Sequence, residues 1–232
     1  MSTVLCTVPG VAEGLALEAE DFGKSGPQVR LWTAEIPALV CPAAFRRKPG
    51  FGPAARNSSA RCWPLYLRPT GGGVVPQGPG VLNLALTFTA GRDFGIEAGY
   101  RLITDVIRAA LGPVGPRLAT GPTQDSFCDG SWNLSVAGRK LVGTAQRIRP
   151  AGGGARRILA HALILVEGDL APGVATVNGL HADLGLPPVT AHAHTTLAAA
   201  LGPDAPDPLQ LARDLAAHAT DALAPTPAVI AA

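Results

Sequence analysis

Lys140 is the residue whose type and setting best suit it to chemistry. The chain contains three lysines against sixteen arginines, and an arginine cannot replace a lysine where a slender ammonium must reach a single oxygen. An ammonium can stabilise negative charge that develops on a carbonyl oxygen. A lone lysine is usually solvated, but Gly143, three residues later, is a strand glycine of the kind that marks close approach by a ligand or backbone.

A predicted β-hairpin positions this lysine. Ala137-Gly138 is a two-residue turn signal between strands at 132–136 and 140–147. With that turn, Ser135 faces Lys140, and the next pairs are Leu134 with Leu141 and Asn133 with Val142. The alternation of the strands then puts Lys140 on the polar face of the hairpin, with Asn133, Ser135, Thr144 and Gln146.

A glycine-rich loop between two predicted strands, from Arg68 to Asn83, is a second candidate for binding. Its glycines let backbone N–H groups approach an anion or a polar ligand, and Arg68 supplies a fixed positive charge at the entrance. The loop is not a P-loop, because no Gly-Lys-Ser/Thr follows. Glycine content alone does not separate a ligand-binding loop from an ordinary connector.

Together the two segments resemble the lipoate protein ligase A and octanoyltransferase family, also described as the biotin/lipoate A/B protein ligases. That family has an arginine, a Thr/Ser-Gly-Gly loop ending in asparagine, and later a Gly-Lys/Arg-Lys-apolar-x-Gly-Ser/Thr-Ala-Gln pattern. Here these are Arg68-Pro-Thr-Gly-Gly-Gly up to Asn83, and Gly138-Arg-Lys-Leu-Val-Gly-Thr-Ala-Gln146. His161, before an apolar run and Asp169-Leu170, is a supporting match; alone it would more often be a core histidine.

The resemblance implies a lipoyl or octanoyl transfer to the ε-amine of a lysine on a lipoyl-carrier domain, with Lys140 at the acyl carbonyl. It also implies a group of substrate-binding residues: Arg68, Thr70, Gly71, Gly72, Gly73, Asn83, Gly143, Thr144, Ala145 and His161. The expected acceptor is a glycine cleavage H protein or a dehydrogenase E2-like protein. No permanently bound cofactor and no metal site are expected.

Cys128 decides between two chemistries within the family. Cys128-Asp-Gly-Ser131-Trp132 resembles the Cys-Phe-x-x-Pro-Ser-Trp segment of one octanoyltransferase group, although two residues are missing and Gly130 replaces the proline. In that group the cysteine forms a thioester before the acyl group passes to the acceptor, and acyl carrier protein is the donor. Covalent relay of this kind divides one difficult transfer into two easier ones. The leading expectation is therefore Cys-dependent transfer, with Lys140 the cationic neighbour of the thiol.

Two alternatives stay open at this point. The chain can be an ATP-dependent lipoate ligase that forms acyl-AMP, with ATP and Mg as further substrates and Cys128 idle. It can instead be a non-catalytic binder of acyl groups or lipoyl domains, because two family residues are absent. Leu67 stands where the family frequently has a second arginine, and Pro76-Gln77 where many members have a histidine.

Composition excludes several other classes. A formal net charge of +2 gives no electrostatic footprint for nucleic acid or an anionic membrane. The four cysteines, which lie far apart, support neither a zinc site nor a disulfide framework. Cys41 and Cys62 are expected to be buried in or beside strands. With no eighteen-residue apolar stretch and no leader-like N-terminus, the expected location is the cytoplasm.

The order of the predicted helices and strands indicates an α+β fold of the α/β type. Hydrophobic periodicity predicts helices at 11–22, 96–111, 195–201 and 208–223, the last with Asp207 as N-cap, and strands at 29–32, 38–41, 63–67, 81–89 and 158–166 besides the hairpin. Residues 46–60 are expected to form a mobile loop or poor helix, and 224–232 a frayed tail. The expected core is like that of class II synthetases and biotin/lipoate ligases, with helices on a mixed sheet. Residues 1–180 would form the catalytic domain and 181–232 a helical extension packed on it.

Overall fold

The computed structural model describes residues 5–224 of the 232-residue chain. The strands are β1 (Leu5–Val8), β2 (Gln28–Ala34), β3 (Ala38–Pro42), β4 (Leu65–Arg68), β5 (Val75–Gln77), β6 (Val81–Ala90), β7 (Ala119–Thr120), β8 (Leu134–Val136), β9 (Arg139–Pro150) and β10 (Arg156–Leu165). The α-helices are α1 (Val11–Gly23), α2 (Phe51–Ala60), α3 (Ile96–Ala110), α4 (Ala171–Asp183), α5 (Leu197–Leu201) and α6 (Pro208–Leu223).

Two sheets organise the molecule. Seven strands form the larger sheet in the order β1-β2-β6-β10-β9-β8-β7, and β4-β3-β5 form the smaller one. The β1/β2 and β3/β4 pairs are parallel and the remaining pairs are antiparallel, so both sheets are mixed. The α+β fold with a mixed sheet is confirmed.

One face of the larger sheet packs on helices. Alternation along β6 sends Leu82, Leu84, Leu86 and Phe88 to this face, where they meet α3 and α6. Helix α3 contributes Ile103, Val106 and Ile107, and α6 contributes Leu211, Ala212, Leu215 and Ala219. The predicted alternation of residues 81–89 therefore places the even-numbered side chains in this core and directs the odd-numbered side chains to the opposite face of the sheet.

The opposite face of the larger sheet meets the smaller sheet, α1 and α4. Trp32 of β2 is fully buried there with Leu39 and Val40 of β3 and with Val177 of α4. Helix α1 lies directly over the Trp32 ring, since a Cβ built on Gly14 would be 2.3 Å from it. This close packing brings the next turn of α1, with Glu18, down onto the sheet.

Most of the predicted elements are confirmed, and two expectations are wrong. Residues 51–60 form a helix, the second of the two alternatives expected for residues 46–60, and no element was predicted where helix α4 lies at 171–183. A bulge between Leu134 and Ser135 pairs Leu134 with Val142, so only the Ser135–Lys140 and Val136–Arg139 pairs of the hairpin are as expected. Cys62 is exposed, although Cys41 is buried. The predicted tail lies outside the described residues apart from Ala224.

Candidate active site

The floor of the site is a small-residue surface of the larger sheet. Cross-strand pairing aligns Asn83 of β6, Leu163 of β10 and Gly143 of β9 in one row. The next row on the same face contains His161 and Ala145. Because side chains two residues apart on a strand share a face, Gly143, Ala145, His161 and Leu163 line one narrow cleft under the smaller sheet, and Asn83 lies against His161. Glycine and alanine on its floor leave room above the backbone.

Arg68 fixes the glycine loop at the cleft. The side chain, 5% exposed at the end of β4, donates from Nη1 to the Val40 carbonyl at 3.1 Å. Its Nη2 donates to the carbonyls of Gly71 and Gly73, both at 2.8 Å. The buried Nε has no hydrogen-bond partner among residues 5–224. An unpaired buried donor is costly, so this N–H is a candidate contact for a polar substrate atom.

Cys128 lies where the glycine loop meets the loop before the hairpin. The Gly73 N–H points at Cys128 Sγ with a nitrogen–sulfur distance of 3.0 Å, and Arg68 Nη2 lies 3.7 Å from the same sulfur. Both groups are donors that can stabilise negative charge that develops at the sulfur during a reaction. The Cys128 backbone has φ +49°, a left-handed conformation that is uncommon for a residue with a side chain and often found at functional sites. A Cβ on Gly72 would be 2.5 Å from Sγ, so this approach needs glycine.

Lys140 is fully buried beneath the Cys128 loop rather than solvated. Its Nζ donates to the Phe127 carbonyl at 2.5 Å and the Cys128 carbonyl at 2.8 Å, and it lies 5.2 Å from the centre of the Phe127 ring. Burial lowers the pKa of Lys140 to about 8, although the nearby Cys128 and Asp129 oppose the shift. A buried ammonium that deprotonates near neutral pH can exchange a proton during a reaction.

Asn133 joins the hairpin to the same loop. Its Nδ2 donates to the Cys128 carbonyl at 3.2 Å, and its Oδ1 accepts from the Thr144 N–H at 3.2 Å. The Thr144 hydroxyl donates to the Trp132 carbonyl at 2.9 Å. The two residues therefore tie the main chain before the hairpin to strand β9, and the Cys128 carbonyl accepts from both Asn133 and Lys140.

A buried polar network crosses the cleft away from Cys128. Glu18 Oε1 accepts from Trp32 Nε1 at 2.8 Å and lies 3.1 Å from His161 Nε2. His161 Nε2 is also 3.2 Å from Asn83 Oδ1, and the amides of Asn83 and Gln77 pair reciprocally at 2.7 and 2.9 Å. Buried polar groups of this kind are stable only when bonded to one another.

Cys128 is shared by two cavities of different character. The narrow cleft is lined largely by buried or half-buried side chains, among them Leu15, Val40, Val75, Leu163 and His161. On the other side of Cys128 and Gly73, a more open depression contains exposed Asp125 and Asp129 with Phe45 and residues 186–189. A narrow, mostly apolar cleft and an open depression with two carboxylates thus meet at one sulfur.

His194 contacts this loop from the segment between α4 and α5. The ring is fully buried, and Nε2 accepts from the Phe127 N–H at 3.0 Å. Its Nδ1 lies 2.9 Å from the Thr190 carbonyl, which can only accept, so the proton is on Nδ1 and the ring is neutral. Burial, followed by the nearby charge of Lys140, lowers the pKa of His194 to about 4.

Most of the residues predicted from the sequence meet at this cleft. Arg68, Cys128, Gly143, Thr144, Ala145 and His161 line it, and Asn83 lies against His161. Gly72 and Gly73 contact Cys128, Gly71 accepts from Arg68, and Lys140 lies under the Cys128 loop. Thr70 is buried without a hydrogen-bond partner among the described residues and does not line the cleft.

Sequence reasoning missed the partners of these residues. Glu18 belongs to no motif, and Gln77 was treated as a replaced family residue. His194 lies in a segment with no motif, and only the His-Ala-His run at 192–194 could have drawn attention to it. Packing of α1 and of the smaller sheet on the larger sheet, which no local pattern reveals, brings Glu18 and Gln77 to the cleft.

Within residues 5–224, no group of three or more histidine, cysteine, aspartate or glutamate side chains is arranged to hold a metal ion. In the same part of the chain, no helix has the length and apolar character needed to span a bilayer.

The fold and cleft define an α+β protein with the lipoate-ligase fold. The structure superposes on lipoate-protein ligase A bound with ATP with a TM-score of 0.69 at 18% identity, covering 95% of this chain and 84% of that one. The chain belongs to the family of the lipoyl protein ligase A/B catalytic domain, whose model matches residues 56–204.

Two relatives extend the comparison. An uncharacterised protein of Cupriavidus necator is 37% identical over 161 residues, which are 63% of this chain and 63% of that protein. The octanoyl-GcvH:protein N-octanoyltransferase of Kyrpidia tusciae is 33% identical over 168 residues, which are 70% of this chain and 58% of that enzyme. The chain therefore spans about three fifths of the length of these relatives.

Proposed function

We propose that this protein is an acyltransferase that moves an octanoyl or lipoyl group to the ε-amine of a lysine on a lipoyl-carrier domain, through a thioester at Cys128. The observation that carries the proposal is the setting of the Cys128 sulfur, 3.0 Å from the Gly73 N–H and at the mouth of an apolar cleft. The relative from Kyrpidia tusciae is named for octanoyl transfer from GcvH, so an octanoylated glycine cleavage H protein is the donor that we propose first.

The transfer has two steps, and each step exchanges the acyl group between an amine nitrogen and the Cys128 sulfur. In the first, the Cys128 thiolate attacks the acyl carbonyl carbon, the C–S bond forms, and the donor amine leaves with a proton as its C–N bond breaks. In the second, the acceptor ε-amine attacks the thioester, a new C–N bond forms, the amine loses a proton, and the thiolate is regenerated. No oxidant and no nucleotide enter this balance.

Arg68, Gly73 and Lys140 supply the electrostatics of both steps. The Gly73 N–H and the Arg68 guanidinium stabilise negative charge at the sulfur or on the tetrahedral oxygen. Two of the three N–H groups of Lys140 bind the carbonyls of Phe127 and Cys128, and we assign the third to the acyl oxygen. Lys140 thus orders the loop and stabilises the oxyanion.

Each of the two cavities binds a different part of the substrates. The cleft over Gly143 and Ala145 accepts the aliphatic chain, and Thr144, Asn83, His161 and the glycine loop shape it. The open depression with Asp125 and Asp129 admits the carrier lysine, whose ammonium is attracted by the two carboxylates. We also propose that residues 1–180 form the catalytic domain and 181–232 an extension packed on it.

The donor experiment separates this proposal from its alternatives. Purified protein is mixed with an apo lipoyl domain and either octanoyl-GcvH, octanoyl-acyl carrier protein, or lipoate with Mg-ATP, and intact mass is recorded for every species. We expect acylation from a carrier-bound octanoyl group without ATP, with an octanoyl adduct on the peptide containing Cys128.

Two variants provide the controls. Cys128→Ala should abolish both the adduct and the transfer, whereas Cys62→Ala, which alters an exposed cysteine, should retain them. Acylation only with lipoate and Mg-ATP, unaffected by Cys128→Ala, would establish the ATP-dependent ligase instead. Lys140→Ala should lose acceptor modification under either enzymatic mechanism, whereas a wild type that modifies the acceptor with none of the three donors would be a non-catalytic binder.

A further inference from the structure

Phe127, the residue before the proposed nucleophile, is held on three sides. Its N–H donates to His194 Nε2 at 3.0 Å, and its carbonyl accepts from Lys140 Nζ. Its ring is stacked on the His194 imidazole with 3.9 Å between centroids and an interplanar angle of 16°. Both rings are fully buried. One imidazole therefore fixes the main-chain N–H and the side chain of the same residue.

The histidine is itself anchored on both sides. Its Nδ1 proton is donated to the Thr190 carbonyl at 2.9 Å. The adjacent main chain pairs with β9, because His194 forms a parallel bridge with Lys140 and the Thr195 N–H donates to the Lys140 carbonyl at 2.9 Å. The imidazole consequently has one position and one tautomer, in which Nε2 is an acceptor.

The fixed position of Phe127 also constrains the backbone conformation of the next residue, Cys128. Cys128 adopts φ +49°, and its sulfur is placed at the Gly73 N–H only while that conformation persists. A left-handed conformation is unfavourable for a residue with a Cβ and needs support from its surroundings. The Lys140 and Asn133 bonds to the Cys128 carbonyl support it from one end, and His194 supports it from the other.

We infer that His194 is a positioning residue, which holds the Phe127 main chain so that the Cys128 sulfur meets the Gly73 N–H. The inference rests on the proposed function, in which that sulfur is the nucleophile. The His194 side chain does not line the acyl cleft, and it contacts the Cys128 loop at the N–H and the ring of Phe127.

Two variants of similar size and polarity isolate the hydrogen bond. In His194→Gln the side-chain amide reaches the position of Nε2 and can accept from the Phe127 N–H. In His194→Asn the shorter amide reaches the position of Nδ1 and can keep only the Thr190 contact. Both variants lose the stacked ring, so a difference between them reports the acceptor at Nε2.

The readout is the rate at which iodoacetamide alkylates Cys128, followed by peptide mass, with exposed Cys62 in the same molecule as internal reference. We expect His194→Asn to slow alkylation of Cys128 by about tenfold and His194→Gln to restore most of that rate. Cys62 should react equally in all variants. The same order is expected for the rate of thioester formation from octanoyl-GcvH.

A third variant separates positioning from lost stability. Leu215→Ala removes a buried side chain from the opposite core and should destabilise the fold while leaving Cys128 alkylation unchanged. Equal alkylation rates in the Asn and Gln variants, or an equal slowing in Leu215→Ala, would overturn the inference. Alkylation needs no acyl donor, so a wild-type protein that forms no thioester would refute the proposed function while this comparison still decided the role of His194.

Discussion

At the scale of single residues, the buried ammonium of Lys140 is the costliest group in the site. Removing a charge from water is unfavourable unless hydrogen bonds and opposite charge replace the lost solvation. Here two main-chain carbonyls and the face of the Phe127 ring replace part of it, and burial still lowers the pKa to about 8. A fold that retains this cost gains a positive charge close to Cys128.

The cost of burying the Lys140 ammonium should appear in the pH dependence of the free energy of unfolding. The folded-state pKa of Lys140, about 8, lies below its ordinary value of 10.5, so the unfolded chain binds the proton more tightly. The free energy of unfolding should therefore rise between pH 8 and pH 10.5, as the buried amine becomes neutral. Below pH 8 the full penalty applies. Relative to Lys140→Met, the wild type should gain up to about 3 kcal/mol across this range.

Urea unfolding of the wild type and Lys140→Met at several pH values between 7 and 10.5 measures the difference. Taking the difference cancels titrations that are common to both proteins. A difference that stays constant with pH would mean that the Lys140 ammonium is no harder to bury than to solvate.

The sequence revealed those residues whose function needs one residue type at a fixed spacing. Arg68, the glycine loop and Lys140 lie in ordered motifs, and the turn at Ala137-Gly138 placed Lys140 opposite Ser135 as observed. Glu18 and His194 could not be found in this way. Each acts through contacts with distant segments, Glu18 with Trp32 and His194 with Phe127, and no local pattern encodes such pairs.

At the scale of elements, the glycine loop and the Cys128 loop are built to approach each other closely. Gly72 has φ +99°, and a Cβ there would lie 2.5 Å from Cys128 Sγ and 3.1 Å from Arg68 Nη2. Both backbone conformation and space therefore require glycine at this position. The approach allows the next residue, Gly73, to direct its N–H at the sulfur.

Gly72→Ala should therefore displace the sulfur from its donors. We expect the rate of thioester formation at Cys128 to fall by at least tenfold and the free energy of unfolding to fall by about 1–2 kcal/mol. Single-turnover acylation monitored by intact mass and urea unfolding measure the two effects.

Gly71→Ala is the matched control for this prediction. The neighbouring glycine is exposed, lacks a left-handed φ, and has no atom within 4 Å of a Cβ built on it. Its replacement should change acylation less than twofold, since a contact-free surface substitution has little effect. Equal losses in both variants would mean that loop flexibility, rather than the contact with Cys128, matters.

The strongly periodic elements could be predicted from local sequence. Features that depend on tertiary packing could not. Strand β6 and helix α3 were found because their apolar residues repeat at strand and helix spacing. Helix α2 was expected only as a mobile loop or a poor helix because it contains Gly52 and Pro53, yet both lie in its first turn, where proline is tolerated. The β8–β9 bulge adds one residue to the register, which a count from the turn does not detect.

At the scale of the whole molecule, the larger sheet is shared by both cores. One face packs on α3 and α6, and the other packs on the smaller sheet and carries the site. The segment after residue 180 contributes to both faces, with Leu215 in the helical core and His194 behind the Cys128 loop. The family match likewise continues to residue 204, beyond the expected boundary at 180.

Because the cores share one sheet, we predict that loss of α6 packing unfolds the site as well. Leu215 is fully buried, and Leu215→Ala should lower the free energy of unfolding by about 3 kcal/mol. In a background with Trp63→Phe and Trp132→Phe, fluorescence reports Trp32 in the opposite core, while far-UV circular dichroism reports all helices. Both signals should shift to the same lower urea concentration, as in a two-state transition. Helical signal lost at lower urea than Trp32 fluorescence would show that α6 unfolds separately, and the extension would then be a unit of its own.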